Sequence, residues 1–182
     1  MARRISSFMA FMLCCVWSSL SLASNAELAS LINTKNPVKA YIKEFTNQSG
    51  QNQIIPEEYK KSLESALLNR KAVKFEIVKS PELSDVQISG VIKKYQYLER
   101  GPMKVSTGVG TMLLDMAATA THNYVEMEVA FTIIDTKTNK SLWEDTVSAY
   151  IKKVMTPEES IPLIYDKISR NFLWKSFGKP NS

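Results

Sequence analysis

Thiol and imidazole chemistry have almost no material in this chain. Of its 182 residues, one is histidine, His122, and two are cysteine, Cys14 and Cys15, both within the first 26 residues. No Cys and His spacing suits zinc, so a metal centre built on those ligands is not expected. His122 stands beside Asn123 without a nucleophile signature and reads as a solvated loop residue, which leaves a general base to carboxylates, Lys or Tyr. Glycine is scarce as well, at six residues, and Gly108 and Gly110 lack both the later glycine of a dinucleotide fingerprint and the Lys-Ser or Lys-Thr pair of a phosphate loop. Charge of one sign is never concentrated. The net charge of +5 is spread over pairs such as Lys60-Lys61, Lys93-Lys94 and Lys152-Lys153, a poor footprint for nucleic acid. These absences predict a protein that is not an enzyme, carries no cofactor or metal and has no nucleic-acid partner.

What is present begins at the N-terminus. Arg3 and Arg4 precede a mostly apolar run from Ile5 to Leu22, followed by the small-residue sites Ser21-Leu22-Ala23 and Ser24-Asn25-Ala26, the pattern of a secretory signal peptide over residues 1–26. Ser6, Ser7, Ser18, Ser19 and Ser21 interrupt the run, which argues against a spanning anchor. Lipid attachment at Cys14 or Cys15 is the alternative, but Met12 and Leu13 stand where such processing wants a small residue. Cleavage leaves residues 27–182 as a single domain in the periplasm, without thiols and with enough aromatic residues to form a core.

Within that domain, Val38, Ala40 and Ile42 alternate with Lys39, Tyr41 and Lys43 as a strand, and residues 47–53 form a polar loop. Pro56, Glu57 and Glu58 suit a first helical turn, and Tyr59, Leu63 and Leu67 give that helix a face for a sheet. A short strand over 73–78 and a longer one from Val86 to about Arg100 follow, with a bulge expected near Gly90 where the alternation breaks. Val125, Met127, Val129, Phe131 and Ile133 mark the clearest strand, and the polar turn 135–140 leads into 142–151 as an antiparallel hairpin. Thr156 and Glu159 form a capping box before a final helix striped by Ile161, Ile164, Ile168 and Phe172, in which Pro162 implies a later start at Ser160 or a kink. The predicted fold is α+β, with two helices on one face of a mixed, mainly antiparallel sheet of about five strands.

Residues 101–123 have no clear period. Met112 to Ala120 is nearly all apolar or small, with Asp115 the single charge. Either the segment folds onto the core, or Met112, Leu113 and Leu114 form an apolar surface that docks on a partner.

The stretches 38–47, 75–78, 84–95 and 125–143, the last with its Asp135-Thr-Lys-Thr turn and Leu142-Trp143, together resemble the outer-membrane lipopolysaccharide-assembly lipoprotein (LptE-like) family over roughly residues 37–173. The same order is similar to curli-secretion-type and peptidoglycan-synthase-activator lipoproteins. The resemblance implies a non-catalytic assembly factor, peripherally associated with the outer membrane, that works beside a β-barrel partner and helps lipopolysaccharide pass. The related envelope lipoproteins imply instead a soluble periplasmic scaffold that binds another envelope protein. No motif fixes a register for lipid contacts. Lys93, Lys94 and Arg100 are the basic residues on a strand where lipid phosphate could be met, with Tyr95 and Tyr97 between them, and a solvated edge guarded by lysines explains them equally.

Overall fold

Apolar residues that alternate along strands and recur every four positions along helices fix the layers of this molecule. The computed structural model describes residues 26–99 and 123–178. The elements run α1 (residues 26–34), β1 (Val38–Ile42), β2 (Thr46–Asn47), α2 (Pro56–Leu68), β3 (Phe75–Ile77), a 3-10 turn (Pro81–Leu83), β4 (Val86–Leu98), β5 (Asn123–Asp135), β6 (Ser141–Lys153) and α3 (Pro157–Phe177). The sheet order is β3-β1-β4-β5-β6, with β2 also paired to β4. Strand β1 pairs in parallel with β3 and β4, and β2 in parallel with β4, while the β4–β5 and β5–β6 pairs are antiparallel. Parallel neighbours need a crossover, and α2 supplies it between β1 and β3. The expected α+β fold with a mixed sheet is present, and α1 joins the two predicted helices. Its Leu28 reaches the core and its Glu27 pairs with Lys140, so this helix closes one end of the sheet.

One face of the sheet makes the core. Val38, Ala40, Ile88, Val129 and Val147 meet Tyr59, Leu63 and Leu67 from α2 and Ile164, Ile168 and Phe172 from α3, all buried. Phe131 sits at the centre, stacked on Phe172 at 4.1 Å and edge-on to Phe45 at 5.8 Å. The capping box forms as predicted, with the Thr156 hydroxyl accepting from the Glu159 N–H at 3.2 Å and the Glu159 carboxylate accepting from the Thr156 N–H at 2.9 Å. Helix α3 therefore starts at Pro157 and not at Ser160. Pro162 is accommodated inside it because its ring faces solvent and the Glu158 turn that lacks its N–H is exposed to water.

The irregularity of β4 lies between Ile92 and Lys94 and not at Gly90. Gly90 is in regular register opposite Phe131, and its missing side chain makes room for the Phe45 ring. Lys93 is the extra residue, so the inward parity of Val86, Ile88 and Ile92 passes to Tyr95 and Tyr97.

Tyr165 anchors α3 to the start of α2, its hydroxyl oxygen accepting from the Ile55 N–H at 3.1 Å. Burial pushes the Tyr165 hydroxyl up to about 12 and raises that of Tyr59 well above the ordinary range. Both would ionise near pH ~10 in an unfolded chain. A folded pKa above the unfolded one means that this contribution to stability is complete below about pH 10 and is lost as the pH climbs towards the folded value. The thermal midpoint is expected to fall above about pH 10, and less steeply in Tyr165→Phe than in the parent. Parallel curves for the two proteins would assign the alkaline loss to other groups.

Candidate functional site at the distal end of the sheet

Beyond Ile92 the sheet narrows to an arm of β4, β5 and β6, because β1 and β2 pair with β4 only as far as Ile92. Among the described residues no strand covers the outer edge of β4 from Lys94 to Leu98. The link between β4 and β5, residues 99–122, leaves and returns at this same end, since Leu98 and Tyr124 are register partners.

Polar contacts fix the point of exit. The Tyr97 hydroxyl donates to the Met155 carbonyl at 2.7 Å, and the Asn123 amide donates to the Tyr97 oxygen at 2.6 Å and also to the Met155 carbonyl. The Tyr95 hydroxyl shares a buried hydrogen bond of 3.0 Å with Ser160. Both tyrosines thus bind the arm to the start of α3, and burial raises both of their pKa values. Their rings turn to the core side and do not stand between the lysines on the open face.

The lysines diverge. Lys93 Nζ donates to the Gln48 side-chain oxygen at 3.0 Å, on the β2 side, whereas Lys94 Nζ lies 2.6 Å from Glu126 on β5. The Glu126 carboxylate holds Lys94 above its ordinary pKa, which keeps it a cation. Arg100, the third basic residue of this set, lies outside the described residues, as do His122 and Met112, Leu113 and Leu114.

The open face at this end carries an apolar row that strand periodicity alone did not single out. Leu98, 40 % exposed, is the cross-strand partner of Tyr124, and Tyr124 stacks on Tyr150, 59 % exposed, at 5.9 Å. Val154, just past β6, is 60 % exposed, and Lys152 and Lys153 flank it. An apolar row rimmed by cations, next to a strand edge that no described residue pairs, has the makeup of surfaces that proteins use for association. Among the described residues no group of three or more His, Cys, Asp or Glu is placed to hold a metal ion, and no helix is long and apolar enough to cross a membrane.

The opposite edge of the sheet is closed. Lys167 and Lys175 Nζ and the Asn171 amide of α3 donate to the carbonyls of Tyr150, Thr146 and Ser148 at 2.6, 3.2 and 3.0 Å. Four helical residues rise about 6 Å and two strand residues span about 6.8 Å, so side chains at every fourth position of α3 meet alternate carbonyls of β6. Lysine and asparagine at 167, 171 and 175 were the sequence signal for this cover, legible only once the edge strand was known.

No protein-family model matches the chain, and no curated protein matches it. In fold it is similar to the hypothetical protein CT253 from Chlamydia trachomatis, with a TM-score of 0.52 at 8 % identity over 76 % of this chain and 95 % of that one. Looser likenesses are to protein XCC0632 from Xanthomonas campestris, with a TM-score of 0.47 at 8 % identity over 79 % and 87 %, and to the LpoB C-terminal domain from Salmonella enterica, with 0.41 at 8 % over 71 % and 94 %. Identities this low speak to architecture alone, and of the three only the likeness to CT253 carries that weight: the chain shares with it a small α+β fold.

Proposed function

We propose that this chain is a non-catalytic periplasmic assembly factor, exported by residues 1–26, that docks through the distal arm on an outer-membrane β-barrel and assists the passage of lipopolysaccharide. The observation that carries the docking part is the coincidence, at one end of the sheet, of the Leu98, Tyr124 and Tyr150 row, a β4 edge that no described residue pairs and the exit of the link containing Met112, Leu113 and Leu114. The lipopolysaccharide part rests on the sequence resemblance and on Lys93, Lys94 and Arg100 as phosphate contacts. The Lys94 and Glu126 pair is partly exposed and therefore weak, so an incoming phosphate can displace the carboxylate.

The edge from Lys94 to Leu98, unpaired among the described residues, supports a second reading, a protein-binding scaffold that accepts a strand from another envelope protein. Tagged protein captured from detergent-solubilised envelopes separates the two. The first expects a large barrel and lipopolysaccharide together; a protein partner without lipid favours the scaffold. Replacing Met112, Leu113 and Leu114 with Ser is expected to weaken the complex while leaving the thermal midpoint within a few degrees. Changing Lys93, Lys94 and Arg100 to Gln is expected to lower lipopolysaccharide binding at least tenfold, less so in high salt where exposed charge is already screened. Unchanged capture by both folded triple variants would remove this end of the molecule from the interface.

A further inference from the structure

Helices α2 and α3 leave between them, on the side away from the sheet, a groove of about 730 Å³. That volume suits a small ligand. Its walls combine Arg70, Lys71 and Arg170 with Leu173 and the Trp174 indole, which is 45 % exposed, and among the described residues Asp166 is the only carboxylate in the lining. Asp166 pairs with Arg170 one helical turn away, and both side chains are more than half exposed, so the pair is weak and open to exchange. Among the described residues neither Arg70 nor Lys71 has a carboxylate within ion-pair distance.

Arg70 is the unusual member. It is only 9 % exposed, its guanidinium donates to the Phe177 and Gly178 carbonyls that end α3, and its buried Nε has no hydrogen-bond partner among the described residues. Among the described residues no carboxylate answers this charge, which is met by the two carbonyls and by the Phe177 ring 5.9 Å away; a buried cation so placed is costly, and burial accordingly lowers its pKa. An anion at this end of the groove would supply the missing charge.

We propose that the α2 and α3 groove binds an anionic phospholipid, its phosphate at Arg70, Lys71 and Arg170 and its glycerol and acyl portion against Leu173 and Trp174. Charge complementarity selects the phosphate, and the apolar wall selects a tail. Tryptophan suits that position because its ring is amphipathic and sits where apolar and wet surroundings meet. The groove lies on the helical layer, away from the open sheet face of the distal arm, and does not depend on the docking role proposed for that arm.

Calorimetric titration of the purified chain with monomeric dihexanoyl-phosphatidylglycerol tests the assignment, with dihexanoyl-phosphatidylcholine and glycerol phosphate as comparison probes. The phosphatidylglycerol is expected to bind at least tenfold more tightly than either, with a change in tryptophan emission that is absent in Trp174→Ala. The double variant Lys71→Gln, Arg170→Gln spares the Arg70 contacts to α3, should keep its thermal midpoint, and should lose at least tenfold in affinity. Equal binding of phosphatidylcholine would reduce the groove to an apolar patch, and equal binding of glycerol phosphate would make it a phosphate site without lipid selectivity. Either result overturns the proposal, as does unchanged affinity in the folded groove variant.

Discussion

Replacing Phe131 with alanine is expected to remove about 3–5 kcal/mol of stability, the range for deleting a large aromatic side chain from a packed core. Phe131 is fully buried in the middle of β5 and is the ring on which both layers converge: Phe172 of α3 stacks on it at 4.1 Å, Phe45 meets its edge at 5.8 Å, and Tyr59 of α2 lies at 6.4 Å. Its neighbours belong to helices and to a β1–β2 linker fixed by their own hydrogen bonds, so the cavity left behind closes only in part. Against a domain stability of about 5–15 kcal/mol, the loss is a large share. Denaturant unfolding of Phe131→Ala and Phe131→Leu gives the check. A cost below 1 kcal/mol for the alanine variant would mean that the core does not converge on this ring.

Gly90→Ala is expected to destabilise by about 1–3 kcal/mol, the range for overpacking. A methyl group at Gly90 would lie 2.5 Å from the Phe45 ring and 2.9 Å from the Ala130 carbonyl oxygen. The ring can move only at the expense of its contacts with Tyr59 and Phe131, and the carbonyl belongs to β5, which is held by a strand on each side. The sign is diagnostic, because Gly to Ala at a compatible position stabilises by about 0.4–1 kcal/mol through the unfolded chain. A double-mutant cycle with Phe45→Ala separates the two clashes. Without the ring, Gly90→Ala should cost clearly less and retain only the part due to the carbonyl. The same cost in both backgrounds would locate the obstruction elsewhere.

The two positions illustrate different degrees of legibility. The alternation of Val125 to Ile133 was sufficient to place Phe131 on a buried strand face, since neighbouring residues on one strand decide which parity is apolar. Gly90 was also conspicuous in the sequence, yet its role was misread as a bulge. Its reason is the Phe45 ring, which belongs to a distant part of the chain, and the bulge stands instead at Lys93. In the candidate site, Lys93 and Lys94 were visible as a basic pair. Their divergence toward Gln48 and Glu126 was not, because each partner lies more than thirty residues away in sequence.

The sequence by itself determined the features that depend on periods and on contacts a few residues apart: the inward stripe of α2, the hairpin of β5 and β6, the Thr156 and Glu159 capping box and the mixed α+β class. Only the tertiary structure decided the parallel placement of β1 and β3, the closure by α1, the cover of the β6 edge by α3, the reach of β4 beyond β1 and β2 and the cationic groove between the helices. Local periodicity says which face of an element is apolar. It does not say which other face will cover it, and open edges, grooves and unneutralised charges are defined by what that covering leaves exposed.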